Sequence, residues 1–164
     1  LQNTLACNLW RMIMSIRRMF TNSNTPMSPL IRAVTWSDFS HCVVLIDDDT
    51  IIHSDFHGVR IEPIKDLQDR SKNWMIVEYE CERPEDVISA CMTQLGKPYD
   101  FTGLFGIILR DIDLQDDSKW WCSELPVYGF EVSGQPKFNV EFMHRITPQH
   151  WLMLPHKVIA RSSK

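Results

Sequence analysis

The run Ser40-His41-Cys42-Val43-Val44-Leu45-Ile46, then Asp47-Asp48-Asp49, then Thr50-Ile51-Ile52-His53, limits the fold more than any other part of the chain. A β-branched run, three acidic turn formers and a second β-branched run predict two antiparallel strands joined by a turn. Gly58 marks a second turn, and Val59-Arg60-Ile61 continues as a third strand. The segment WMIVEYE, Trp74 to Glu80, reads as a further strand.

Helical signals lie on both sides of these strands. LIRAVTW is a short helix. In RPEDVISACMTQLG, Pro84 suits a first turn, Glu85 and Asp86 suit the positive end of a helix dipole, and Gly96 lies just past the end. Val87, Ile88, Cys91, Met92 and Leu95 share helical spacing, so Cys91 reads as core. Asp100 is placed to cap a second helix through Leu104, Ile107 and Ile108, and a third begins near Cys122, with Pro126 in its first turn. SGQPKFNVEFM predicts a turn and a strand, and ITPQHWLMLP a short helix after Thr147-Pro148. The class is α+β.

Residues 1–27 read as an N-terminal extension and 28–164 as the main domain, divided at the polar stretch from Thr21 to Pro29. Leu5, Leu9, Ile13 and Ile16 fall on one stripe of a helix that is too short to span a bilayer and is interrupted by Arg11, Arg17 and Arg18. Its functional reading is membrane or assembly contact through residues 5–18. Its plainer reading is a helix packed on its own domain. A net charge of −4, from 17 basic and 21 acidic residues, argues against a general nucleic-acid partner. The five cysteines are odd in number and form no C-x-x-C, which suggests neither a disulfide framework nor a zinc ribbon. With neither a signal peptide nor a membrane span in view, the expected location is cytoplasmic as synthesised.

The chemistry centres on KWWCSELP, Lys119 to Pro126. A thiol at the first turn of a helix feels the positive end of the dipole, and free N–H groups there can serve as oxyanion donors. Such a nucleophile needs an imidazole in reach and a third group to orient it. His41 and His53 stand 12 residues apart across the hairpin, a spacing that lets two side chains meet on one face. His53-x-x-x-His57 with Asp55 lacks a third metal-ligand set, so no metal is expected.

Taken together, S-H-C-V-V-L-I, I-I-H-S, G-K-P-Y-D-F-T-G-L and W-W-C-S-E-L resemble the circularly permuted NlpC-type papain-like cysteine hydrolases. The pattern is that of the YiiX/YaeF-type group, related to the lecithin:retinol acyltransferase-like proteins. The resemblance runs from about Ser28 to Pro155. It implies a papain-like fold, with an antiparallel sheet packed against helices and the nucleophile at a helix N-terminus. By position it makes Cys122 the nucleophile, His41 the general base and acid, and His53 the orienting group. Many relatives carry Glu or another polar residue at that third position.

Tyr99, Ser123 and Trp121 are the candidates for oxyanion or substrate contact. Tyr99 reads equally well as packing, and Trp120 and Trp121 read as groove wall or core. Cys42 reads as core, and His144, His150 and His156 as surface or packing residues. The implied activity is cofactor-free acyl transfer on peptidoglycan peptide or related amide bonds, with carriage by a phage particle as one setting. A lipid acyl substrate is the alternative. A structural virion or assembly module with a vestigial site is the rival of another class.

Overall fold

In the computed structural model, residues 14–100 and 119–163 are described. The elements run β1 (Ser15–Ser23), α1 (Met27–Thr35), β2 (His41–Leu45), β3 (Thr50–Asp55), β4 (Gly58–Pro63), α2 (Ile64–Asp69), β5 (Ser71–Glu80) and α3 (Pro84–Met92). After the undescribed stretch come α4 (Glu124–Val132), a 3-10 helix (Val140–Arg145), α5 (Pro148–Met153) and β6 (Lys157–Arg161). The six strands form one antiparallel sheet in the order β4-β3-β2-β1-β5-β6.

The hairpin forms as its residues dictate. Val44 faces Ile52 and Leu45 faces Ile51. The aspartate turn is closed by the Asp49 N–H donating to Asp47 Oδ1 at 2.9 Å and by the Ile46 N–H donating to the Thr50 carbonyl at 2.9 Å. Because strand side chains alternate, the sheet has two distinct faces. Phe20, Cys42, Val44, Ile52 and Val77 join the larger core with Val87 and Cys91 of α3, Leu125 and Phe130 of α4, and Trp151 of α5. Met19, Val43, Leu45 and Ile51 form the smaller core beneath Ile64 and Leu67 of α2.

Gly58 opens β4 at φ +91°, and a Cβ there would lie 2.5 Å from the Lys97 carbonyl oxygen. That close approach lets the Val59 N–H donate to the Lys97 carbonyl at 2.8 Å and the Gly96 N–H donate to the Val59 carbonyl at 2.9 Å. Glycine thus ties the Lys97-Pro98-Tyr99 segment to the sheet.

Three expectations change. Ser15 and Ile16 are not the end of a helix but the start of β1, which lies between β2 and β5. The sheet therefore begins before residue 28, and 27/28 is not a boundary between independent parts. Ile16 and Arg18 are buried within the sheet, so this part of the 5–18 segment is no docking surface; residues 5–13 lie outside the described residues. Pairing on both sides outweighs the helical look of the segment.

The strand expected in SGQPKFNVEFM is instead a turn and the 3-10 helix. There the Asn139 side chain accepts from the Glu141 N–H at 3.1 Å and turns the chain locally. The helix through Leu104, Ile107 and Ile108 lies outside the described residues. No helix among the described residues is long and apolar enough to cross a membrane.

Candidate active site

His41 is the first residue of β2, where it pairs with Thr21 of β1. The β2–β3 register places His53 opposite Val43, one pleat along from His41 and on the same face. The two rings meet edge to face, with Nε2 of His41 3.0 Å from Nδ1 of His53. The interaction expected from the 12-residue spacing is present.

Beyond His53 the array continues. Its fully buried ring places Nε2 3.1 Å from Glu62 Oε1, at ion-pair distance but off the line of a good hydrogen bond. Glu62 is clamped in turn by Arg70 and by Arg60, whose Nη1 lies 2.8 Å from Oε2. Arg60 also holds Asp55, at 2.6 Å from Nη2 to Oδ2. Burial pushes the Glu62 carboxyl up, but the contacts with His53 and Arg70 overcome that, and it titrates below the usual carboxylate range. An ionised Glu62 favours the proton of His53 on Nε2. Nδ1 then accepts from His41 Nε2–H, and His41 Nδ1 is left as the basic nitrogen. Nδ1 has no hydrogen-bond partner among the described residues.

The sequence reading missed Glu62, Arg60 and Arg70. Arg60 faces His53 and Glu62 faces Ile51 across the β3–β4 register, so an Arg-x-Glu alternation in the strand after His53 was the available signal.

His41 and His53 open on a cavity of about 500 Å³ whose walls include Met27, Ile31, Phe56, Leu67 and Tyr99. Burial, and then the neighbouring His53, pull His41 down to about 3, against the raising effect of Asp55 and Glu62, so it is neutral at physiological pH. Tyr99 borders this cavity and also belongs to the larger core, with its ring edge-on to Phe56 at 5.4 Å. Burial raises its phenol well above 10, and the nearby Glu124, Asp100 and Asp55 carboxylates add to this, so it stays protonated.

Cys122 sits elsewhere. It lies just before Ser123, the N-cap of α4, so the predicted helix start is close. The side chain, however, is in the larger core on the Cys42 side of β2, whereas His41 points to the opposite face. Cys122 is 2% exposed and does not line the cavity, and no hydrogen bond joins its Sγ to His41 among the described residues. Its neighbours are Ser123 Oγ at 3.8 Å and Cys42. Burial, and then Cys42, raise its thiol well above the ordinary range, which reverses the effect expected from the helix dipole. At Cys42, burial is outweighed by the hydrogen bond with Cys122 and by the charge of Arg18, and the thiol falls to about 6. Of the two thiols, the one lowered is the cysteine that the sequence marked as packing.

Ser123 is fully buried, with Oγ 3.5 Å from Cys42 Sγ. Trp121 is core: its indole N–H donates to the Ile146 carbonyl at 3.1 Å, and its backbone N–H donates to Glu124 Oε2 at 3.0 Å. Trp120 is likewise buried, so neither tryptophan walls the cavity. His57 is largely exposed and 3.5 Å from Asp55. His150 caps α5 by accepting from the Thr147 N–H at 3.0 Å.

What the geometry defines is a six-stranded antiparallel α+β fold with a paired-histidine cavity on one sheet face and a buried thiol pair on the other. Neither a protein-family profile nor a curated protein sequence matches the chain. Among solved structures it is similar to one described as the metalloprotein yiiX from Escherichia coli O157:H7, DUF1105. The TM-score is 0.67 at 17% identity, over 91% of this chain and 97% of that one. The fold is thus of the YiiX type. Among the described residues no group of three or more His, Cys, Asp or Glu side chains is placed to hold a metal, since His53 is committed to His41 and Glu62 and His57 faces solvent.

Proposed function

We propose that this chain is an acyl hydrolase of the permuted papain-like kind, with His41 as general base and His53, backed by Glu62, as the group that orients it. The observation that carries the reading is the 3.0 Å contact from His41 Nε2 to His53 Nδ1 at the wall of a cavity, with an ionised carboxylate behind it. On the cysteine route, the segment carrying Cys122 must rearrange from the Cys42 face of β2 before Sγ can reach Nδ1 of His41. His41 then takes the thiol proton, and the thiolate attacks an amide or ester carbonyl. The Tyr99 phenol and the N–H groups opening α4 hold the oxyanion, His41 protonates the leaving group, and water resolves the thioester.

The burial of Cys122 supports a second route, in which His41 Nδ1 deprotonates a water in the cavity and no thioester forms. On either route the apolar wall of Met27, Ile31, Phe56 and Leu67 fits an apolar acyl group better than a polar peptidoglycan stem peptide.

Turnover of a panel of acyl esters and peptide amides by wild type, His41→Ala and Cys122→Ser tests both routes. Loss of His41 is expected to cost roughly 10²- to 10⁴-fold in kcat. If Cys122→Ser loses activity as well, the thiol route stands; if it keeps activity, the water route does. Turnover indifferent to His41→Ala ends both. Absence of turnover across the panel favours a structural or binding module with a vestigial site.

A further inference from the structure

Arg18, at the centre of β1, is 0% exposed. A guanidinium cannot shed its proton in a protein, and a buried charge requires a counter-charge. No carboxylate is paired with it among the described residues. Its Nη2 lies 3.0 Å from Cys42 Sγ, while Nε and Nη1 are buried without hydrogen-bond partners among the described residues. The guanidinium also lies over the Trp151 ring at 3.8 Å and the Phe20 ring at 5.4 Å, faces that attract a cation but carry no net charge.

Cys42 is the group that can supply the missing anion. A second thiol stands beside it. Ser123 Oγ touches Cys42 Sγ at 3.5 Å and Cys122 Sγ at 3.8 Å, and in its protonated form the Cys42 thiol donates to the Cys122 carbonyl at 3.6 Å. Both cysteines belong to the larger core and are free thiols, and Ser123 is fully buried beside them.

We propose that Cys42 is a buried thiolate held by Arg18 and is a peroxide-modification site, with Cys122 as its resolving thiol. The Cys42 thiolate attacks one oxygen of hydrogen peroxide and breaks the O–O bond, giving the sulfenic acid and hydroxide, which takes a proton to become water. The Cys122 sulfur then attacks the sulfenic sulfur. An S–S bond forms, the S–O bond breaks, and the oxygen leaves as a second water with the thiol proton. Peroxide is reduced by two electrons and the two thiols are oxidised by one each. Burial restricts the oxidant to molecules near the size of water, and it leaves larger disulfides such as oxidised glutathione outside. If Cys122 is the nucleophile of the reading above, the disulfide withdraws it from service, but the modification itself does not depend on that reading.

The full chain is treated with hydrogen peroxide at pH values from 5 to 9.5, quenched by alkylation, and digested with trypsin without reduction. The expected product is a peptide of Ala33–Arg60 linked to Trp120–Lys137, released by reductant and absent from Cys42→Ser and Cys122→Ser. Its initial rate is expected to rise through about pH 6 in wild type. In Arg18→Met the rise moves toward the ~8.5 of an ordinary thiol, which makes the rate at pH 7 roughly 30-fold lower, while Arg18→Lys keeps much of the low-pH rate. If Arg18→Met fails to fold, the wild-type pH profile decides alone. No linked peptide at peroxide doses that oxidise Cys81, or a linked peptide whose rate in wild type rises only near pH 8.5, overturns the proposal. Linkage with oxidised glutathione as fast as with peroxide overturns the access argument and the buried site with it.

Discussion

Glu62→Gln is the substitution that most directly tests the architecture behind His41. It keeps the volume and removes one buried charge that meets three partners: His53, Arg60 and Arg70. Breaking a fully buried ion pair costs about 3–5 kcal/mol, and an exposed one about 0–1 kcal/mol. Here the carboxylate is 6% exposed, but the Arg60 and Arg70 side chains are 33% and 43% exposed and regain water when released. Arg60 also keeps Asp55. The expected loss is therefore intermediate, about 2 kcal/mol, or about 4–8 °C in Tm for a chain of this size.

The pH dependence carries a sign. The folded-state pKa of Glu62 lies below its unfolded value, so its stabilisation is full above the unfolded pKa of about 4.3 and is lost as pH falls toward the folded one. The variant lacks this component, so the gap between wild type and Glu62→Gln should narrow as pH drops from 7 to 3. Urea unfolding followed by circular dichroism at pH 7, 5, 4 and 3 measures it. A gap under about 0.5 kcal/mol at pH 7, the range of an ordinary surface substitution, or one that stays constant to pH 3, would refute the reasoning.

Other outcomes follow from single residues. Because His41 is held near 3, kcat/KM on a His41-dependent substrate should show no acid limb between pH 5 and 7; an inflection at about 6.5 would mean an ordinary, solvated imidazole. Gly129→Ala would place a Cβ 2.6 Å from Cys91 Sγ and 2.9 Å from the Val87 carbonyl oxygen, where α4 crosses α3. The expected cost is about 1–3 kcal/mol by chemical denaturation, and a neutral result would mean that the two helices can separate freely. Trp36 is 79% exposed at φ 52°, a left-handed conformation costly for a side chain of its size. Trp36→Gly should raise stability by about 1 kcal/mol, and a drop in Tm would show that the indole makes contacts worth more than the strain.

The hairpin was readable because everything it needs is local: β-branched runs on each side of an aspartate turn. The His41–His53 contact followed from it, since the spacing across a known turn fixes which side chains share a face. Glu62 and Arg70 were not readable in the same way, because their approach depends on the β3–β4 register and on where α2 ends. β1 was misread because Arg17 and Arg18 resemble a solvated helix face. In the folded chain Arg18 is buried against Cys42, and Arg17 pairs with Asp48 at 2.6 Å. The helix start near Cys122 was nearly right in sequence. The face of β2 against which it packs is a tertiary fact, and that fact separates the thiol from His41. β6 passed unnoticed because it is a mostly exposed edge strand with little apolar alternation.

The position of β1 also sets an order of events during synthesis. It emerges before any of its partners. One side is closed once β2 has been made, but the other waits for β5, about fifty residues further along the chain, and β5 in turn waits for Lys157–Arg161 at the far end. Through that interval the growing chain presents an unpaired ladder beside the apolar side chains of Ile16, Met19 and Phe20, the kind of edge that recruits a strand from another molecule. Shortening the chain into β1 would have the converse effect, leaving β2 and β5 as two facing edges with no strand between them.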